Sequence, residues 1–328
     1  MLLGLGLNLN KGGFVKIPYY AVLANEFKAR VESDGGSVEN LSCLKKDLKV
    51  LNPIKPPAFT GLLNDYSGAA AAYSLRLLDN TYTGNAITVR RSSDNTTQAI
   101  GFVNNELDTA SLETFAGSGD AFVTTWYDQS GNGFDVTQTT AGNQPQIVSS
   151  GSTITEGSKP IIDFDGSNDY LLNAGSISYN GGVSWYSVQR LDSVSSTKRI
   201  WSDDIIGVQG YNQFFSQSPH KINDNGTGIE SVTFNSLTAN TRQLNSFNFD
   251  DSNGAYNYAI DGSNTSATKS GWTGPIGTSG TANVGIMSAG NGGQYGDGKL
   301  QELIIYPNDQ STNRTGIETN INDHYSIY

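Results

Sequence analysis

The chain has 328 residues, with 20 Lys plus Arg against 31 Asp plus Glu and a net charge of −11, which excludes the clustered cations that a nucleic-acid surface needs. One cysteine, Cys43, excludes an intrachain disulfide, and no apolar run reaches the length of a membrane span. The 38 glycines, with abundant Ser, Thr and Asn, suit many turns between short strands.

Residues 1–16 are Gly-rich and apolar without a period, and read as an N-terminal arm. They also lack the basic start and unbroken apolar core of an export signal. From Tyr20 the pattern is helical: Tyr20, Leu23, Phe27 and Val31 recur at spacings of three and four. Asp34-Gly35-Gly36 ends that stretch, and Val38, Leu41, Leu44, Leu48 and Leu51 begin a second one that the prolines at 53, 56 and 57 stop. Residues 17–56 are therefore predicted to form a helical hairpin. Two short helices bury little by themselves, so this hairpin is expected to serve attachment or oligomerisation, the alternative being an appendage packed on the main domain.

Residues 57–328 change to a β character. Short alternating runs are punctuated by Gly, Asn, Asp and Ser. Strands are predicted over Ala86–Arg91, Phe122–Trp126, Val183–Val188 (with Trp185 in the core) and Leu303–Tyr306. Tyr256, Tyr258 and Ile260 alternate before Asp261-Gly262, which signals a hairpin. A short helix is expected between Asn104 and Phe115. Another is expected after Pro307, where Ile317 and Ile321 lie four apart.

Two stretches carry a resemblance. AYSLRLLDNTYTGNAITVRRSSDN (72–95) followed by TTWYDQSGNGFDVTQ (124–138) resembles the opening of the catalytic domain of alpha-L-arabinofuranosidase B, over about residues 70–140. Farther on, IIDFDGSNDYLL (161–172), NYAIDGSNTSA (257–267) and KLQELIIYPNDQ (299–310) resemble the hairpins and closing strand of concanavalin A-like and laminin G-like domains. The ordered set implies a mainly β, antiparallel two-sheet jelly-roll sandwich. Fold does not fix function, so the chemistry has to be sought residue by residue.

Glycoside hydrolysis needs two carboxyl groups across one bond. In the arabinofuranosidase family the nucleophilic Glu follows a Cys-Cys pair and a Phe-Asp-x-Gly-Asn-Ala stretch, and neither is present here. The corresponding region, Lys198 to Gly210, offers Asp203 and Asp204 without a Glu or a cysteine. Glu302 lies in the closing strand, where a structural role is expected. Asp128, inside Tyr127-Asp128-Gln129-Ser130-Gly131-Asn132-Gly133, is either a sugar or metal contact or the centre of a tight turn. Asp163, Asp165 and Asp169 are either calcium ligands or a hairpin turn, and no other cofactor is expected. Trp201, Tyr211 and Trp272 sit in polar surroundings and are the candidate sugar-stacking rings.

The expectation is a non-enzymatic bacteriophage virion protein (decoration, fibre or tail-associated) that displays a carbohydrate-binding sandwich for adhesion to surface glycans. Residues 1–56 would join it to other virion proteins, and the chain would form a homo-oligomer, assembled in the host cytoplasm and released by lysis. The alternatives are an active glycoside hydrolase resembling alpha-L-arabinofuranosidase and a structural virion domain without a ligand.

Overall fold

The computed structural model describes residues 59–194, 198–205, 212–215, 220–223, 229–234, 237–264, 267–270, 282–289 and 292–328. The predicted arm, the helical hairpin, Tyr211 and Trp272 lie outside them. The chain divides after Phe59, and the unit Thr60–Tyr328 carries the structure that follows.

This unit is mainly β, and among the described residues every strand pairing is antiparallel and twenty strands join one continuous hydrogen-bonded network. Its middle is the Gly182–Leu191 strand, flanked by Arg242–Asp250 on one side and Asp297–Tyr306 on the other. Ala255–Ile260 extends the first side. Ala71–Ser74 and Ile162–Asp165 both pair with Asp297–Tyr306 on the second. Elsewhere in the network Ile87–Arg91 pairs with Ala121–Trp126. Val136–Thr137, Leu171–Asn173, Ala282–Ile286 and Arg199–Ile205 then follow side by side.

The central strand shows why the network packs on both faces. Successive side chains of a strand point to opposite sides. Val183 and Trp185 join the larger apolar core with Phe247, Phe249 and Ile305. Tyr186 and Val188 join a second cluster with Leu244, Ile304 and Tyr306, closed by Ile317, Ile321 and Tyr325 of the helix Arg314–Tyr325. That helix is the one expected from the spacing of Ile317 and Ile321.

The helix predicted between 104 and 115 starts later, at Thr109, and runs to Ala116. Asn104 and Asn105 adopt φ of 52° and 68° and turn a small hairpin in which Phe102–Val103 pairs with Glu106–Leu107. Asparagine tolerates that left-handed backbone, so the turn displaces the first helical turn. Asp108 then caps the helix by accepting the N–H of Ser111 at 3.0 Å. The Asp261-Gly262 hairpin forms as predicted, with φ of 51° and 72° and Ile260 opposite Ser263.

One buried ion pair ties the first strand, the last strand and the C-terminal helix together. Glu302 accepts Nε–H and Nη2–H of Arg76 at 2.8 and 3.0 Å, and also accepts the hydroxyls of Ser74 at 2.7 Å and Tyr325 at 3.2 Å. The structural role expected for Glu302 is what these contacts describe. Burial pushes its carboxyl up, but the charge and hydrogen bonds of Arg76 outweigh that and hold it below its ordinary value. Among the described residues no helix is long and apolar enough to cross a membrane.

Candidate functional site

The Tyr-Asp-Gln-Ser-Gly-Asn-Gly motif is a clamp on the first strand. Asp128 is 4% exposed and turned inward. Its Oδ1 accepts the N–H groups of Ala72 and Ser130 at 2.8 and 2.9 Å. Its Oδ2 accepts Phe134 N–H at 3.1 Å and the Ser130 hydroxyl at 2.7 Å. Gln129 is equally committed: it accepts Leu78 N–H at 2.8 Å and donates to the carbonyls of Ser74 and Arg76. Asn132 donates to the carbonyls of Ala69 and Ala70. Gly131 and Gly133 have φ of 85° and 78°, which glycine adopts without strain. Asp128 is thus the centre of a turn. Its acceptor sites are filled by the protein, and none is presented to a sugar.

The acidic hairpin is organised in the same way. Asp165 Oδ1 accepts the N–H groups of Ser167, Asn168 and Asp169. Asp169 is 8% exposed and accepts Asp165 N–H at 3.1 Å. Burial pushes its carboxyl up to about 7, and the neighbouring Asp165 and Asp163 add to the rise. Asp163 is ion-paired with Lys299 on the adjacent strand. The three carboxyls are therefore used separately. The hydrogen bonds of Asp165 and Asp169 and the ion pair of Asp163 describe a turn, and among the described residues no group of three His, Cys, Asp or Glu side chains is placed to hold a metal ion.

Trp201 is fully buried and meets Trp185 edge-on, with centroids 6.3 Å apart. Stacking on a sugar needs an open ring face, and Trp201 has none because its strand turns it into the core opposite Ile286. The same alternation turns Asp203 inward, while Ser202 points the other way and donates to the Ser288 carbonyl at 2.9 Å.

Asp203 is the unusual group. It is 0% exposed and sits opposite Val284 in the register. Tyr179 donates its hydroxyl to Oδ2 at 2.6 Å, and Oδ1 has no hydrogen-bond partner among the described residues. Burial pushes the carboxyl up to about 7, with the Tyr179 hydrogen bond pulling the other way. The sequence offers Asp203 and Asp204 as an undifferentiated pair. The signal that separates them is Trp201-x-Asp203: with Trp201 in the core, position 203 must follow it.

A shallow cleft of about 430 Å³ lies beside the helix Thr109–Ala116, lined by Arg91, Gln98 and Phe115 among others. Its guanidinium is already spent. Arg91 pairs with Asp94 at 2.6 Å, donates to the Phe115 carbonyl and covers the Phe115 ring.

The family model described as alpha-L-arabinofuranosidase B, catalytic, matches residues 65–179. No curated protein sequence matches the chain. Among solved structures, an arabinofuranosidase complexed with arabinofuranosyl-alpha-1,2-xylobiose aligns with a TM-score of 0.54 and 17% identity, over 77% of this chain and 62% of that one. A GH54 α-L-arabinofuranosidase soaked with a cyclic sulfate inhibitor gives a TM-score of 0.50 and 16% identity at the same coverage. At such identities the likeness is one of fold, and this chain spans 62% of the length of those proteins. The matched family segment contains the Asp128 clamp and Tyr179, and it stops before Asp203.

Proposed function

We propose that this chain is a glycoside hydrolase-related domain that engages glycans bearing α-L-arabinofuranosyl groups. In this reading its network of strands closes into a concanavalin A-like, two-layer jelly roll of the kind also found in laminin G-like domains. The carrying observation is the arabinofuranosidase B match over residues 65–179, which the fold likeness to a sugar-bound arabinofuranosidase supports. Asp203 is the candidate acid in that reading: burial pushes its carboxyl up to about 7, and cleavage would require its fully buried side chain to be uncovered when the glycan binds.

A specific observation favours a second reading, in which the domain holds a glycan without cutting it. Cleavage needs a second carboxyl across the same bond, and the carboxyls of Asp128 and Asp163 are committed to the Tyr-Asp-Gln turn and to Lys299. A virion protein of a bacteriophage fits that reading: residues 1–56 would bind other virion proteins, the chain would be a homo-oligomer, and the sandwich would face a cell surface.

One preparation tests both. Retention in electrophoresis gels containing arabinan or arabinoxylan is expected, and no retention defeats the proposal. Release of 4-nitrophenol from 4-nitrophenyl α-L-arabinofuranoside, reduced at least 100-fold by Asp203→Asn, assigns hydrolysis. Retention without release assigns adhesion, and mass spectrometry of purified phage particles then checks the virion reading.

A further inference from the structure

We propose that Tyr170 and Tyr295 form a docking platform for a neutral saccharide, on a surface separate from Asp203. The inference rests on the reading that the domain engages a glycan, and it names where. Leu171 is buried in the core at the start of the Leu171–Asn173 strand, so Tyr170 before it points to the opposite face. That strand pairs Leu171 with Ile286, which brings the following 292–296 loop alongside. There Tyr295 stacks on Tyr170, with centroids 5.7 Å apart and planes at 28°.

Both rings are half-buried, and the surroundings hold them in place. Tyr170 N–H donates to the Asn143 carbonyl at 3.2 Å, and Gln138 reaches the Tyr170 carbonyl at 3.5 Å. Gly292, at φ 73°, lies so close that a Cβ there would stand 3.4 Å from the Tyr170 phenol. Within the loop Gly292 N–H donates to Ala289 and Ala289 N–H to Gly293. A stack fixed in this way presents ring surface at little entropic cost on binding.

The polar groups around the stack define the occupant. Asn168 Nδ2 donates to Asn143 Oδ1 at 3.1 Å, which leaves Asn143 Nδ2 and Asn168 Oδ1 unpartnered among the described residues. One amide donor and one amide acceptor left over suit the hydroxyls of a sugar. The phenol hydroxyls of Tyr170 and Tyr295 are also unpartnered there, whereas those of Tyr73, Tyr179, Tyr186 and Tyr306 are all bonded. Asp169 turns its carboxyl into the hairpin, where it accepts the N–H of Asp165. Aromatic faces for the C–H side of a sugar ring, with amides and phenols for its hydroxyls, suit an uncharged glycan better than a phosphate or a basic peptide.

The test uses the full chain and a panel of arabinan, arabinoxylan, galactan and xylan. The variant carrying Tyr170→Ala with Tyr295→Ala should lose at least tenfold in affinity at an unchanged melting temperature, and Tyr170→Phe should keep most of the binding. Nitration of the unaltered protein by tetranitromethane, read by peptide mass spectrometry, covers the case in which the double variant does not fold. Saturating glycan should protect Tyr170 and Tyr295 at least fivefold. Wild-type binding by the double variant, or absence of protection, overturns the platform while arabinan retention keeps the functional reading. Tyr-dependent binding confined to galactan or xylan keeps the platform and defeats the arabinofuranosyl assignment. Silence of the unaltered protein across the panel overturns both.

Discussion

Asp203 stores free energy in the folded chain. Moving a carboxyl from its ordinary 3.8 to about 7 disfavours its charged form by on the order of 4 kcal/mol. A folded-state value above the unfolded one means that the group favours folding below about pH 4, and that this contribution is lost as pH rises through 7. Asp203→Asn keeps an oxygen for the Tyr179 hydroxyl and removes the ionisation. The variant should be more stable than the parent at pH 8, by at least about 1 kcal/mol, and nearly equal to it at pH 4. Denaturant midpoints at the two pH values measure this, and equal midpoints at pH 8 refute the buried acid. Asp128 sits at the other extreme, since every lone pair it uses is matched. Asp128→Ala strands the N–H groups of Ala72, Ser130 and Phe134. The expected cost is about 3 kcal/mol or more, read as a lowered melting temperature.

At the scale of elements, the Arg76–Glu302 pair decides how the C-terminal helix docks. Arg76 also donates to Asn320 of that helix at 2.9 Å, and the Tyr325 hydroxyl reaches Glu302. Arg76→Ala leaves a carboxylate enclosed without its cation, which costs about 3–5 kcal/mol. The helix should loosen first, so hydrogen exchange over 314–325 should accelerate more than exchange over the Gly182–Leu191 strand. Uniform acceleration would place the pair elsewhere in the energetics. The helix itself was legible, because Ile317 and Ile321 record one buried face. The strand Gly182–Leu191 was legible only in part. Ser184, Ser187 and Gln189 are buried on it, whereas polar residues in a run of this kind signal an exposed face in the sequence.

For the molecule as a whole, the sequence carries the turns better than it carries the partners. Tyr-Asp-Gln-Ser-Gly-Asn-Gly announces a tight loop through its Gly and Asn content. It cannot announce that Gln129 serves backbone groups more than fifty positions earlier, because that is a fact of assembly. Trp201 was misread for the same reason. Its neighbours in the chain are polar, and its neighbours in space are Trp185 and Ile286. Asp203 could have been recognised only by following Trp201 inward.

The pairing of Ala71–Ser74 with the final strand has a bearing on biosynthesis. Ala71 meets Ile305, and Ser74 meets Glu302. The earliest β segment of this unit therefore leaves the ribosome long before its mate exists. During translation its hydrogen-bonding edge stays bare until more than two hundred further residues have been added. Closure of this pairing is therefore late in synthesis.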